Sequence, residues 1–265
     1  MPAAHATFAR PRPDVRYRLH TYKTAAADTA RRFQYGTPRS QRPFGPLISA
    51  SEPADAFALA SELFAPGPAQ NPVEILGFID HARASRPQVI CEIGTQDSGN
   101  LFLLSSLLTS VGFCVGVDRE FRNTWLVAGL LRRRVRFSFV RGSSQTRLTF
   151  GRVRDTLGGR PVDLLFIDGD HSLAGASRDF LNYRALVRPG GLIAFHDIVP
   201  DEFLRTGRRS GAYAGDVPRL WSSVKPGYEH REFIADPDQD GRGIGCLVHD
   251  PSVPVPDELL VAARS

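Results

Sequence analysis

Cysteine, lysine and long apolar runs are scarce in this chain of 265 residues. The three cysteines, Cys91, Cys114 and Cys246, have no metal-ligand spacing, so we expect small buried thiols rather than a zinc site or a disulfide framework. No apolar run approaches the about 20 residues that span a bilayer, and the amino terminus has no apolar signal core. We therefore expect a cytoplasmic protein without a membrane partner.

The positive charge comes almost entirely from arginine, since Lys23 and Lys225 are the only lysines. The formal net charge is +5, and such a basic balance raises the question of a nucleic-acid partner. The arginines are scattered, however, and no basic stretch is interleaved with aromatic residues. We therefore expect no nucleic acid, and the 42% of hydrophobic residues predicts an ordinary globular core.

Two regions differ in their pattern. Residues 1–50 are rich in Arg, Pro, Ala and Thr with little periodicity, which predicts an irregular N-terminal extension. Residues 51–265 are predicted to form one domain. It begins with a helix over Ala54–Phe64, closed by Pro66-Gly67-Pro68, and a helix over Pro72–Ala84 that is capped by Asn71.

Buried-strand and helix patterns then alternate strictly. This alternation predicts an α/β fold, a doubly wound and mostly parallel sheet with right-handed crossovers. Two short runs flanking an Asp- and Gly-rich turn predict a final antiparallel hairpin. The predicted strands are Gln88–Ile93, Phe113–Asp118, Val135–Arg141, Val162–Asp168, Leu192–Asp197, Glu232–Ala235 and Ile244–His249, and the helices between them are Gly99–Thr109, Phe121–Leu131, Gln145–Thr156 and Ala174–Val187.

Ligands of open parallel sheets bind beyond the carboxyl ends of the strands. The first predicted strand ends in a glycine turn at Gly94 that leads into a helix. Asp118 ends the second strand, 24 residues later, close to the about 20 expected for an acid that binds ribose hydroxyls. The third strand ends at Ser143 and Ser144, well placed for an adenine edge. Together these endings predict a nucleoside site.

The turn lacks the tight glycine triplet of nicotinamide enzymes and any phosphate-loop lysine. Glu92 before it suits a cofactor with a cationic end and no pyrophosphate, such as S-adenosylmethionine. The residues predicted to bind this cofactor are Glu92, Gly94, Thr95, Ser98, Asp118, Arg119, Ser143, Ser144 and Asp168.

The strings ICEIGTQDSGN, GVD, DLLFIDGDHS, LVRPGGLIAFHDI and VPRLWSSVK resemble class I S-adenosylmethionine-dependent methyltransferases. Within that class they resemble the branch of cephalosporin-hydroxylase-like proteins and sugar O-methyltransferases. The resemblance covers roughly Asn71 to His249 and implies a Rossmann-like, seven-stranded sheet with one reversed strand.

The resemblance also implies a divalent-cation site, because acids at the positions of Asp168, His196 and Asp197 bind a cation in several related O-methyltransferases. His196 departs from that pattern, and an imidazole suits zinc, iron or manganese better than magnesium. Without a cation, Asp168 and Asp197 would cap loops. His171 is the expected general base, with Asp168 as the alternative, since imidazole titrates near neutral pH.

We interpret Pro200–Pro218, with its three glycines, as a mobile loop that gates the substrate, and Trp221 as a core anchor. The leading hypothesis is O-methylation of a hydroxylated small molecule, a sugar or natural-product scaffold, by a protein that could form a homo-oligomer. The alternatives are RNA ribose methylation and a non-catalytic nucleoside-binding module of the same fold.

Overall fold

The computed structural model of the protein describes residues 53–64 and 70–264. The predicted extension, residues 1–50, and the Pro66-Gly67-Pro68 breaker lie outside these ranges, so the domain boundary near residue 50 stays a prediction. No helix within the described ranges is long and apolar enough to cross a membrane.

One seven-stranded sheet organises the described residues, in the order β3-β2-β1-β4-β5-β7-β6. β7 runs antiparallel to both of its neighbours, and the other strand pairs are parallel. The predicted fold class and its single reversed strand are therefore confirmed. The strands are β1 (Val89–Ile93), β2 (Phe113–Asp118), β3 (Arg136–Arg141), β4 (Val162–Ile167), β5 (Val187–His196), β6 (His230–Phe233) and β7 (Ile244–Val248).

Helices cover both faces of the sheet, as its buried strands require. One apolar cluster packs the first four helices against one face, and a second packs the later helices against the other. Trp221 is 1% exposed, so its prediction as a core anchor is confirmed. The helices are α1 (Pro53–Leu63), α2 (Pro72–Arg83), α3 (Gly99–Leu107), α4 (Thr124–Leu131), α5 (Arg147–Leu157), α6 (Leu173–Tyr183), α7 (Glu202–Thr206), α8 (Val217–Val224) and α9 (Asp257–Ala262).

Two local predictions from the sequence, a helix cap and the burial of the cysteines, can be compared with the structure. Asn71 caps α2, its side chain accepting a hydrogen bond from the Val73 amide at 2.9 Å, as predicted. All three cysteines are buried, also as predicted.

The structure corrects three predicted boundaries. β5 begins at Val187 rather than Leu192, because the strand continues through a bulged stretch around Gly190 that pairs with β4 and the residues after β7. α6 ends at Tyr183 and passes into a 3-10 turn at Arg184–Leu186. α4 begins at Thr124 rather than Phe121, after Asn123 at a positive φ of 56°.

The chain order creates the site for a ligand. Successive strands run outward from β1 to β3 on one side and from β4 to β5 on the other, so the direction of winding reverses between β1 and β4. A crevice opens beyond the carboxyl ends of strands at such a reversal.

Candidate active site

A cavity of about 1000 Å³ lies beyond the carboxyl ends of β1 to β5. Its lining includes the ends of five strands, the segment around Tyr213 and the turn between β6 and β7. Of the residues predicted from the sequence, it brings together Gly94, Asp118, Arg119, Ser143, Ser144, Asp168, His171, His196 and Asp197.

Gly94 forms the floor where β1 and β4 end side by side. Its φ is +90°, and a Cβ atom there would lie 1.8 Å from the Asp168 carbonyl oxygen. The Asp168 amide donates to the Ile93 carbonyl at 2.8 Å, which holds the two strand ends together. Glycine is therefore required for the contact between these two loops, whether or not a ligand is bound.

Asp118 presents its carboxylate to the cavity in a fixed orientation. Its Oδ2 accepts from the Gln96 amide at 2.8 Å and its Oδ1 from the Glu120 amide at 3.0 Å. A carboxylate has about four acceptor positions, so both oxygens can still accept from a vicinal diol.

The end of β3 forms the next part of the wall. Ser143 accepts from Arg119 Nη2 at 3.4 Å, while Ser144 lines the cavity beside it. Gln145, which was not predicted as a site residue, donates from Nε2 to Asp170 Oδ2 at 3.0 Å and so connects the ends of β3 and β4. Its position directly after Ser143 and Ser144, at the end of the same strand, could have predicted that it belongs to the site.

Three of the residues predicted to bind the cofactor are buried behind the residues that line the cavity. Glu92 is 1% exposed and accepts from Asn100 Nδ2 at 2.8 Å, and its burial raises the pKa to about 8. The Thr95 hydroxyl donates to the Glu92 carbonyl and the Ser98 hydroxyl to the Arg122 carbonyl, both inside the fold. These three side chains do not line the cavity, because β1 directs Glu92 into the core and the turn uses both hydroxyls internally, and their direct contact with a cofactor stays a prediction.

Two acids and two histidines meet at the ends of β4 and β5. His196 Nδ1 lies 3.4 Å from Asp168 Oδ1 and 3.2 Å from Asp197 Oδ2. His171 Nε2 lies 3.7 Å and 3.5 Å from the same two oxygens. We call these four residues the acid–imidazole cluster.

Residues outside the acid–imidazole cluster hold both of its acids in place. Gln70 Nε2 donates to Asp168 Oδ2 at 3.1 Å, and the Arg242 amide donates to Asp197 Oδ1 at 3.0 Å. Asp197 itself has a φ of 62°, which turns its side chain at the end of β5. The remaining oxygens, Asp168 Oδ1 and Asp197 Oδ2, are those that face the imidazoles.

His171 is held in one tautomer. Its Nδ1 lies 2.8 Å from the Tyr213 carbonyl, which can only accept, so Nδ1 carries the proton. The Tyr213 ring stacks on the imidazole at 5.5 Å between ring centroids and 9° between planes. Nε2 is thereby aimed at the two carboxylates and available for proton transfer.

Opposing effects set the charges in the cluster. Burial lowers the pKa of both histidines, but the carboxylates of Asp168 and Asp197 outweigh it and raise the pKa of His171 to about 9 and of His196 to about 10. Burial raises the pKa of Asp168, but the imidazoles hold it well below its ordinary value. The two carboxylates thus favour positive charge between them.

The donor set of the cluster fits a divalent cation. His196 is 4% exposed, and neither of its ring nitrogens makes a hydrogen bond to the described part of the chain. Asp168, His171 and Asp197 also offer ligand atoms that lie within 4.8 Å of one another. Two carboxylates with imidazole nitrogens suit manganese or zinc as well as magnesium.

The segment predicted as a loop over Pro200–Pro218 is partly helical. It contains α7, whose first turn is capped by Asp201 through the Leu204 amide at 2.8 Å, and it ends in α8. Asp201 also accepts from the Ala214 amide at 2.9 Å, so the two ends of the segment are fastened together. The prediction of an element-free loop is wrong, while Tyr213 and Gly211 do line the cavity.

The sequence and the fold of this chain are similar to those of known methyltransferases. Residues 91–198 match a family described as a methyltransferase domain. Among curated proteins, none matches the chain.

Solved structures with the same fold include three methyltransferases. The O-methyltransferase TomG from Streptomyces achromogenes, involved in tomaymycin synthesis and solved with SAM, has a TM-score of 0.52 at 18% identity, covering 79% of this chain and 96% of that one. An O-methyltransferase from Bacillus cereus, solved with SAH, has a TM-score of 0.52 at 16% identity, covering 79% and 96%. MycE from the mycinamycin pathway, solved with Mg, SAH and mycinamycin VI, has a TM-score of 0.50 at 17% identity, covering 78% and 58%.

Proposed function

We propose that this chain is a class I S-adenosylmethionine-dependent methyltransferase and that it methylates a hydroxyl group of a small molecule. The observation that carries the proposal is the acid–imidazole cluster, which lies in the same cavity as Asp118, Ser143 and Ser144. The proposed cofactor site and the proposed proton-transfer groups thus line the same cavity. Alcohols need proton removal during methylation, and this arrangement supplies it.

The cofactor would occupy the half of the cavity at the ends of β1, β2 and β3. Asp118 would accept hydrogen bonds from the two ribose hydroxyls, because the Gln96 and Glu120 amides already orient its carboxylate. Ser143, Ser144 and Gln145 would meet the adenine edge. The methionine end would lie beside the glycine turn at Gly94, which lines the cavity.

The acceptor hydroxyl would lie at the acid–imidazole cluster. Asp168, His196 and Asp197 would hold a divalent cation, which is supported by the two carboxylate oxygens that converge on His196 Nδ1 and by the absence of a hydrogen bond at either nitrogen of His196 to the described residues. When bound, the cation would supply Lewis acidity that lowers the pKa of the acceptor hydroxyl. MycE, which was solved with Mg and a small-molecule ligand, has this fold and is consistent with the proposal.

His171 would take the proton of the hydroxyl once a cation bound to Asp168 and Asp197 offsets the carboxylate charges that otherwise raise its pKa to about 9. Its Nδ1 proton is committed to the Tyr213 carbonyl, so Nε2 receives the transferred proton. The same hydrogen bond stabilises the imidazolium that forms. Asp168 and Asp197, both within 4 Å of Nε2, stabilise that charge further.

A calorimetric titration with S-adenosylhomocysteine, followed by transfer of a labelled methyl group to a panel of hydroxylated sugars and phenols, tests the proposal. The assays are run after chelation and again with Mg²⁺, Mn²⁺ or Zn²⁺. We expect binding, and turnover that rises at least tenfold when a cation is restored. Binding without turnover on any acceptor would instead indicate a non-catalytic module, and salt-sensitive RNA binding with RNA methylation would indicate a nucleic-acid substrate.

Variants of the two histidines assign their roles. His196→Gln should weaken Mn²⁺ binding at least tenfold, whereas His171→Gln should keep Mn²⁺ affinity and lose turnover. Loss of Mn²⁺ binding in His171→Gln would move His171 from the base into the ligand set.

A further inference from the structure

Three consecutive residues in the turn between β6 and β7 have a left-handed backbone. The φ angles of Gly241, Arg242 and Gly243 are 72°, 63° and 80°. Glycine adopts this conformation freely, but the Cβ of arginine carries a steric penalty there. A non-glycine residue in such a turn is a reason to look for a function.

The surrounding structure prevents this turn from relaxing. The Val199 amide donates to the Arg242 carbonyl at 2.9 Å, and the Gly243 amide donates to Glu74 Oε2 at 2.9 Å. The Arg242 amide donates to Asp197 Oδ1, so the backbone of the arginine directly contacts the acid–imidazole cluster. The fold therefore fixes this arginine next to the place where the acceptor hydroxyl is proposed to bind.

The guanidinium of Arg242 is exposed to solvent at the wall of the cavity. Arg119 and Arg242 are the only arginine or lysine residues among those that line the cavity, and Arg119 lies on the cofactor side against Ser143. The guanidinium of Arg242 makes no ion pair with any described residue. Asp240, two residues away, accepts a hydrogen bond from the Glu202 amide, and its pKa is lowered by the Ser210 hydroxyl and, less strongly, by the charges of Arg205 and Arg242, so it attracts Arg242 without forming an ion pair with it.

We propose that Arg242 binds an acidic group, a carboxylate or a phosphate, on the acceptor whose hydroxyl is methylated at the acid–imidazole cluster. This inference rests on the proposed function and narrows its substrate class to acidic hydroxylated molecules. A guanidinium binds either anion through two parallel hydrogen bonds, which would fix the orientation of the acceptor as well as its affinity.

Matched pairs of probes test the inference by calorimetry on the full chain with S-adenosylhomocysteine and Mn²⁺. One pair is 3,4-dihydroxybenzoate and its neutral amide, and the other is glucose 6-phosphate and glucose. We expect the acidic member of one pair to bind at least tenfold more tightly, and the pair that shows this preference identifies carboxylate or phosphate as the recognised group.

Arg242→Ala should abolish the preference and leave the affinity for the neutral member within about twofold. The matched control is Arg86→Ala, because Arg86 is exposed, also has a positive φ of 47°, and lies before β1 at the opposite end of the sheet. Arg242→Gly should also lose the preference while melting at no lower a temperature than the native protein, since glycine relieves the backbone penalty.

Three results would overturn the inference: no preference for either acidic probe, a preference that persists in Arg242→Ala, or equal weakening of both members of a pair. The S-adenosylhomocysteine titration reads out the proposed function separately. If the protein fails to bind S-adenosylhomocysteine but still prefers an acidic probe through Arg242, the methyltransferase proposal is wrong. The assignment of Arg242 as an anion-binding residue would then still hold.

Discussion

The two halves of the cavity differ in how far the protein satisfies its own polar groups. In the cofactor half, formed by the ends of β1, β2 and β3, the Asp118 oxygens accept backbone amides and the serines contact side chains or lie beside them. In the acceptor half, formed by the ends of β4 and β5 and the β6–β7 turn, His196 lies close to two carboxylates without hydrogen-bond geometry, and the exposed guanidinium of Arg242 makes no ion pair with the described residues. The backbone already orients the polar groups of the cofactor half, whereas we expect bound ligands to complete the acceptor half.

This contrast has a physical cause. Backbone amides that orient a carboxylate stabilise the empty site, so the cofactor half costs little to maintain. The acceptor half keeps two carboxylates close together, and without a cation only the protonated histidines compensate their repulsion. Substitutions in the two halves should therefore have separable effects.

The largest effect is expected from Asp168→Asn in the acceptor half. Loss of this carboxylate removes a proposed cation ligand and the partner of His171, so kcat should fall by about 10²-fold or more. The affinity for S-adenosylhomocysteine should change by less than about threefold, because Asp168 lies at the edge of the cofactor half. Steady-state kinetics and calorimetry check this, with the exposed Asp155→Asn as the control. Equal losses in kcat and cofactor affinity would show that the halves are not separable.

Asp118→Ala makes the converse test in the cofactor half. Removing the ribose acceptor should cost about 1–3 kcal/mol, which weakens S-adenosylhomocysteine binding by roughly 5- to 150-fold. Mn²⁺ affinity should stay unchanged, because Asp118 is not part of the acid–imidazole cluster. Unchanged cofactor affinity measured by calorimetry would remove Asp118 from the site.

Glu92→Gln tests whether the buried Glu92 behind the cofactor half is protonated in the folded protein, through the pH dependence of stability. The folded pKa of Glu92 is about 8, against an ordinary value of 4.5, so between these values the unfolded chain releases a proton that the folded protein keeps. Native stability therefore falls as pH rises through this window. The variant should melt close to the native protein near pH 4.5 and several degrees higher near pH 8.

The exposed Glu62→Gln variant controls for the loss of one negative charge. A Glu92→Gln variant whose melting temperature parallels that of the native protein at every pH would show that Glu92 is ionised in the fold. That outcome would return Glu92 to the list of carboxylates able to meet a cationic cofactor.

The smallest effect is expected at Tyr213, whose ring is 70% exposed above His171. Tyr213→Ala removes an aromatic stack worth about 0.5–1.5 kcal/mol, so kcat/KM should fall by roughly 2- to 10-fold. The backbone carbonyl that holds His171 remains. Tyr213→Phe keeps the ring and should be nearly native, and a loss as large in Tyr213→Phe would assign the effect to the hydroxyl.

Local patterns in the sequence were enough to predict most of the fold. Continuous apolar runs predicted β1, β2 and β4 to within a residue or two, because buried parallel strands need apolar side chains on both faces. The start of β5 was missed because Arg188 and two glycines interrupt its apolar pattern, although the backbone pairs through them.

The candidate site was predicted less completely, for a physical reason. Strand endings located Asp118, Ser143, Asp168 and Asp197, since parallel strands end at one edge of the sheet. Contacts between distant segments are invisible to such reasoning. Gln70 meets Asp168 across 98 positions of sequence, and Arg242 meets Asp197 across 45. Glu92 was selected because it comes just before the glycine turn. That position in the sequence does not reveal that the side chain points into the core.

A crystal structure of the chain with S-adenosylhomocysteine and Mn²⁺, with diffraction recorded at the manganese absorption edge, tests the division of the cavity most directly. We predict one anomalous peak bound by Asp168 and Asp197, with the ribose of the nucleoside on Asp118. A nucleoside on Asp118 without a peak between the two acids, or a peak bound elsewhere in the cavity, would contradict the assignment of the acceptor half to a cation.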